Sequence, residues 1–207
     1  MTTAAIVHVI DDDAAVRDSL RLLLATENFD VRAYASARDF LASAGPGEAG
    51  CVITDVRMPE VSGMDLLAEF KARRVDLPVI VITAHADVTL AVQAMKAGAV
   101  DLLEKPFDDE ALLGAVRQAL RRLFDGESVV GSEAAAARDR LASLTVRERE
   151  VLMGVLDGRP NKLIAHELGI SVRTVEAHRA RLMMKMQAKS LSELVRMAVL
   201  IPPAASA

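Results

Sequence analysis

The sequence predicts an α/β doubly wound sheet of five parallel strands joined to a small all-α domain, and three observations lead there. Short apolar runs alternate five times with segments of helical periodicity over residues 1–124. From residue 143 onward the pattern is wholly helical. Charge also changes sign along the chain: residues 1–124 carry 13 Lys and Arg against 19 Asp and Glu, residues 125–142 carry 2 against 4, and residues 143–207 carry 10 against 6. An acidic part followed by a basic one suggests two domains with different partners, the second partner a polyanion.

The chain of 207 residues is 52% hydrophobic and 26% charged, which is ordinary for a globular protein with a proper core. No apolar run approaches the roughly 20 residues of a membrane span, and no basic-then-apolar leader opens the sequence. The expectation is a soluble, cytoplasmic protein with no membrane partner. The one cysteine, Cys51, sits in an apolar strand, so it reads as a core residue and argues against both an intramolecular disulfide and a zinc cluster.

Residues 4–10 form a nearly continuous apolar run that stops at Asp11, Asp12 and Asp13, as a strand buried on both faces does at a polar rim. His8 inside it reads as a hydrogen-bonded structural residue. Val16, Leu20, Leu23 and Leu24 have helical spacing. A short strand near Val31–Tyr34, a helix opened by Ser36 and a loop at Gly45, Pro46 and Gly47 follow. Val52–Thr54 is the third strand, and Ser62 precedes a helix with Met64, Leu67, Ala68 and Lys71 in turns. Pro78 opens a strand that ends at Thr83, and a helix from Val88 to Ala97 stops at Gly98. Val100–Leu103 is the fifth strand, and after Lys105 and Pro106 a last helix runs from about Asp108 to Leu123. Strand and helix in this alternation give a parallel sheet with helices on both faces.

Ligands of such sheets bind beyond the carboxyl ends of the strands. Asp11 and Asp12, Asp55, Thr83 and Lys105 stand at those ends. Any one of them alone reads as an ordinary solvated strand end; together they define a site. Clustered carboxylates either raise a pKa or bind a cation, and hard oxygen donors on a wet rim suit Mg2+, which keeps several waters and accepts a phosphate oxygen. With charge neutralised, Asp55 can attack phosphorus and form an acyl phosphate. Lys105 and Thr83 would meet the transferred oxygens, with Pro106 holding the lysine in a fixed turn for which a cis bond is one option.

The motifs D-D-D at 11–13, T-D-V-R-M-P around Asp55, V-I-T-A-H at 81–85 and E-K-P-F at 104–107 resemble the flavodoxin-like receiver domain of bacterial two-component response regulators. The resemblance implies that Asp55 receives phosphate from a histidine kinase. It implies that Asp11, Asp12, Asp55 and the backbone carbonyl of Arg57 hold Mg2+, and that Thr83 and Lys105 read the phosphorylated state. It departs at Leu102, where the family commonly carries a switch aromatic. A face including Val88, Val92, Met95 and Leu102 is the expected dimer surface on phosphorylation.

Residues 125–142, with two glycines and an alanine-rich run, read as an interdomain connector. Beyond it, Thr145 and Glu148 have capping-box spacing and open a helix through Leu156. Asn161–Leu168 is a second helix, Gly169–Ser171 a tight turn, and Val172 to about Met186 a third helix, which is the helix-turn-helix arrangement. Val175, Leu182 and Met186 point inward. Lys162, Arg173, Arg179 and Lys185 are candidates for phosphate contacts; Thr174, Glu176 and Ala177, with His178 beside them, are candidates for the major groove. Leu191, Leu194, Val195, Ala198 and Val199 form a fourth amphipathic helix, a second candidate dimer surface.

L-T-x-R-E-R-E-V-L, N-K-x-I-A, S-x-R-T-V-E-x-H and K-M-x-A-K-S resemble the DNA-binding domain of the LuxR/FixJ group. This implies a phosphorylation-activated transcriptional regulator paired with a FixL-like sensor kinase, acting on a double-stranded operator and on RNA polymerase, with nitrogen-fixation or microaerobic genes as targets. A FixJ-type regulator of an unrelated pathway is the alternative. The rival from another class is a Mg2+-dependent aspartyl phosphohydrolase; such enzymes commonly place a general acid two residues after the nucleophile, where this chain has Arg57. The expectation is therefore a phosphoacceptor with at most slow self-dephosphorylation, not an enzyme. A receiver that never needs phosphate is a further rival.

Overall fold

The computed structural model describes residues 5–43 and 49–199. The expected Gly45-Pro46-Gly47 loop lies outside them. The chain divides into two units, Met1–Ala86 with Ala97–Gly126, and Asp87–Lys96 with Glu127–Ala207.

The first unit holds five parallel strands, β1 (Ile6–Ile10), β2 (Asp30–Tyr34), β3 (Gly50–Asp55), β4 (Val79–Thr83) and β5 (Asp101–Glu104), in the order β2-β1-β3-β4-β5. The strands run one or two residues off the expected bounds at several ends, and the type and order of elements are as the alternation implies. Helices α1 (Ala14–Thr26), α2 (Ala37–Ser43) and α3 (Gly63–Arg73) follow the first three strands. Side chains alternate between faces along each strand. Val7 and Val9, Cys51 and Ile53, and Ile80 and Ile82 accordingly pack on one face with Leu20 and Leu24 of α1. His8 points the other way, against the rings of Tyr34 and Phe40, with Phe70 packed on Phe40 behind them. Its Nδ1 lies 3.3 Å from the Tyr34 hydroxyl, so the histidine is a structural residue of this core. Cys51 is fully buried and its thiol is pushed up to about 12 by that burial, which leaves it inert.

The region read as a connector, whose alanine-rich run was open to being helical, is helical: α5 runs from Asp109 to Ala142. Its last turns belong to the second unit, where Ala137 is 1% exposed within the helical core. Alanines there need almost no free volume, so a run with little apolar face still packs closely. Helix α4 spans Val88–Ala97, and its residues 88–96 group with the second unit. Val88 packs against that unit's core and the Thr89 hydroxyl donates to the Gly158 carbonyl at 2.9 Å.

The second unit also contains α6 (Val146–Leu156), α7 (Asn161–Leu168), α8 (Val172–Met186) and α9 (Leu191–Val199). Thr145 and Glu148 form the expected capping box. Gly169 ends α7 at φ 64°, a left-handed conformation that glycine adopts without a Cβ penalty. Leu152, Val155, Ile164, Val175, Leu182, Met186 and Leu194 make the core.

Candidate functional site

Strand order reverses direction between β1 and β3, and the crevice at their carboxyl ends is where such sheets place a site. Asp55 ends β3 in phase with Cys51 and Ile53, and Asp11 continues the phase of Val7 and Val9, so both carboxylates lean to the same side. Asp11 is 1% exposed and Asp55 8%. The Lys105 ammonium donates to Asp11 Oδ2 and to Asp55 Oδ1, each at 2.7 Å. The remaining oxygens are bound by backbone: the Asp13 amide donates to Asp11 Oδ1 at 2.9 Å, and the Arg57 amide to Asp55 Oδ2 at 2.6 Å.

Burial disfavours the lysine's charge, but the hydrogen bonds and negative charges of Asp11 and Asp55 outweigh it, and its pKa is raised above the ordinary value. Lys105 is therefore a firmly held cation. The backbone around it is fixed as well. The Lys105 amide donates to the Thr83 carbonyl at 2.7 Å, the Lys105–Pro106 peptide is cis, and the Arg17 guanidinium donates to the Asp11 carbonyl at 2.7 Å. Gly63 opens α3 so close to Asp55 that an added Cβ would lie 2.3 Å from the Asp55 carbonyl oxygen.

The expected rim residues are thus gathered unequally. Asp12 is exposed, and among the described residues no three acidic, His or Cys side chains stand together as a metal cluster. The group between Asp11 and Asp55 is Lys105. Thr83 is buried, and its hydroxyl lies 3.3 Å from both the amide and the carbonyl of His85, in the loop beyond β4. A hard cation nevertheless fits the donor set, because two buried carboxylates already converge on one positive group.

Val92, Met95 and Leu102 are 4, 5 and 6% exposed and Val88 is half-buried. Along α9, Leu194, Val195 and Ala198 are buried in the same way, leaving Val199 outward.

On α8 the structure sorts the cationic residues. Ser171 caps the helix through the Thr174 amide at 3.1 Å, and the Thr174 hydroxyl lies 2.8 Å from that of Ser171. Arg179 donates to Asn161 Oδ1 at 2.6 Å and burial lowers its pKa, with Glu176 opposing the shift. Lys185 donates to Glu148 Oε2 at 2.7 Å and to the Ser143 carbonyl at 3.3 Å. These two cations brace α8 against its neighbours. His178 is half-buried, with an Nδ1 that has no hydrogen-bond partner among the described residues. Exposed instead are Arg173, Glu176, Ala177, Ala180, Arg181 and Met184, and Lys162 on α7. Arg181 was not among the expected contacts. Its signal was in the spacing: it follows Arg173 and Ala177 at four-residue steps, opposite Val175 and Leu182.

Residues 7–117 match the family described as response regulator receiver domain, and residues 142–198 match bacterial regulatory proteins, luxR family. The chain belongs to the two-component response regulators that carry a LuxR-type DNA-binding domain. Within that class it is FixJ-like. It is 52% identical over 200 residues to the transcriptional regulatory protein FixJ of Azorhizobium caulinodans, covering 94% of this chain and 92% of that one. It is 49% identical to FixJ of Bradyrhizobium diazoefficiens over 201 residues, covering 96% and 97%. Full-length FixJ from B. japonicum, a solved structure, aligns with a TM-score of 0.55 at 48% identity, covering 96% of this chain and 98% of that one. Among the described residues no helix is long and apolar enough to cross a membrane.

Proposed function

We propose that Asp55 is the phosphoacceptor of a cytoplasmic regulator whose phosphorylation controls DNA binding. The observation that carries this is the Lys105 bridge: one ammonium held at 2.7 Å from both Asp11 and Asp55 marks the place where a transferred phosphoryl group's oxygens would find a cation. A carboxylate oxygen of Asp55 attacks the phosphorus of the kinase's phosphohistidine; the P–N bond breaks as the P–O bond forms, the imidazole leaves with the electron pair, and Lys105 moves from the carboxylate to a phosphoryl oxygen. The Thr83 hydroxyl leaves His85 to donate to another. Asp11, Asp55, the Arg57 carbonyl and an inward-turned Asp12 would hold Mg2+, which supplies charge neutralisation for the incoming phosphate.

The phosphodonor histidine of a sensor kinase must reach this rim. An apolar groove beside Lys105, lined by Leu20, Leu22, Leu23, Pro106 and Phe107, is continuous with the site and suits a kinase helix. Leu22 is 70% exposed there. Replacing it by Asp should slow transfer from the kinase while leaving labelling by a small phosphodonor unchanged.

In the helical domain Lys162, Arg173 and Arg181 contact phosphates, and Glu176, Ala177 and Ala180 face base edges. Phosphorylation-driven homodimerisation and contact with RNA polymerase complete the reading. Nitrogen-fixation or microaerobic genes are its targets, with a FixL-like kinase upstream. A shift of about 2–3 kcal/mol in the dimer equilibrium changes occupancy tens- to a hundredfold.

The test compares wild type with Asp55→Asn, each incubated with acetyl phosphate with and without Mg2+, by intact mass and operator binding. Wild type should gain one Mg2+-dependent phosphoryl group and tighter operator binding. An unmodified wild type, or catalytic turnover without a stable adduct, would sink the proposal.

A further inference from the structure

We propose that the outward stripe of α6 is a self-complementary surface through which two copies of the chain pair antiparallel about a two-fold axis. Val146, Arg149, Glu150 and Met153 follow one another at three, one and three residues, so they share a helix face. Val146 is 75% exposed and Met153 54%. With Leu144 they line a shallow groove whose floor is mostly apolar. The stripe therefore reads apolar, cation, anion, apolar.

That order identifies the occupant. Reversal of the stripe about its centre sets Val146 against the second copy's Met153 and Arg149 against the second copy's Glu150, so every position meets a complement. Such an isologous contact is what two-fold symmetry requires. A nucleic acid fits less well, because Glu150 would face its phosphates. The present partner of Glu150 is Arg147, 2.8 Å away in an i,i+3 pair with side chains 53 and 39% exposed. Solvent-facing pairs of this kind are weak and exchange readily. A single helix crossing buries less than the roughly 1,000 Å² of a stable interface, so the contact is transient in free solution. It gains when two copies are already held near one another.

The experiment uses full-length chains carrying Val146→Cys or Met153→Cys, distinguished by isotopic mass and mixed under mild oxidation. Cys51 is fully buried and does not take part. The two positions lie seven residues apart on the helix, about 10 Å, beyond the roughly 7 Å Cα separation that a disulfide can span. The pairing thus predicts about a tenfold excess of the mixed cross-link over either self cross-link. Adding Glu150→Arg to both chains sets cation against cation and should abolish the mixed product, whereas Arg149→Glu with Glu150→Arg should restore it. A statistical distribution of products, no cross-link, insensitivity to Glu150→Arg, or cross-linking only to another protein would each overturn the proposal.

Discussion

Lys105 shows how one side chain can hold a binding site in readiness. It neutralises two carboxylates that would otherwise face each other in a nearly closed crevice, so removing it leaves buried negative charge uncompensated. Lys105→Met should lower stability at neutral pH by about 1–3 kcal/mol, less than a fully buried pair because the lysine is 23% exposed. Millimolar Mg2+ should recover part of that loss in a thermal melt, since a cation that binds only the folded chain stabilises it by linkage. Recovery equal in Lys105→Met and in Lys105→Met with Asp55→Asn would argue against a shared cation. Gly63 acts through space rather than charge. Its Ala variant places a Cβ 2.3 Å from the Asp55 carbonyl and should cost about 1–3 kcal/mol by overpacking. It should also slow small-phosphodonor labelling of Asp55, because relief of the clash shifts the backbone that carries the acceptor.

At the scale of elements, α8 joins its cap, core and outer face through different residues. The Glu148 carboxyl is held at about 2, against an ordinary 4.5, by the hydrogen bond from Lys185 and by the Thr145 amide. A lowered folded value stabilises the protein above the ordinary value and loses that contribution as pH falls toward the folded one. Melting of the helical domain should therefore weaken between pH 4.5 and about 2, and Glu148→Gln should flatten that part of the profile. The same pair separates bracing from DNA contact. Arg181→Ala should reduce the salt slope of operator binding by about 1 with melting unchanged. Lys185→Ala should lower the melting temperature with little effect on the slope. The elements themselves were legible in the sequence because alternation, caps and glycine stops are local signals. Asp11, Asp55 and Lys105 were legible as strand ends, and their common lean follows from two-residue phase. The assignment of Arg179 and Lys185 was not, since nothing local says that Asn161 and Glu148 lie within reach of them. The degree of burial of Val92 and Met95 was hidden as well, because an apolar helix face carries no local mark of what it packs against.

For the whole molecule, the separation of an acidic unit from a basic one matches a division of work between a phosphoacceptor and a DNA reader. Operator affinity should fall steeply with salt, while phosphoryl labelling of Asp55 should vary much less, because the carboxylate–lysine contacts are buried and poorly screened. A parallel response of both to salt would count against independent sites. The boundary between the units also has a practical side. Ala137 is buried in the helical core, Arg140 donates to the Met186 carbonyl at 3.4 Å, and Glu133 pairs with Arg196 at 3.5 Å. Protease or gene fusion that severs the chain at residue 143 would strip the reader of its own supporting turn. A severance before Glu133 would hand that turn over intact, so such a fragment should melt higher and bind operator more tightly than its shorter counterpart.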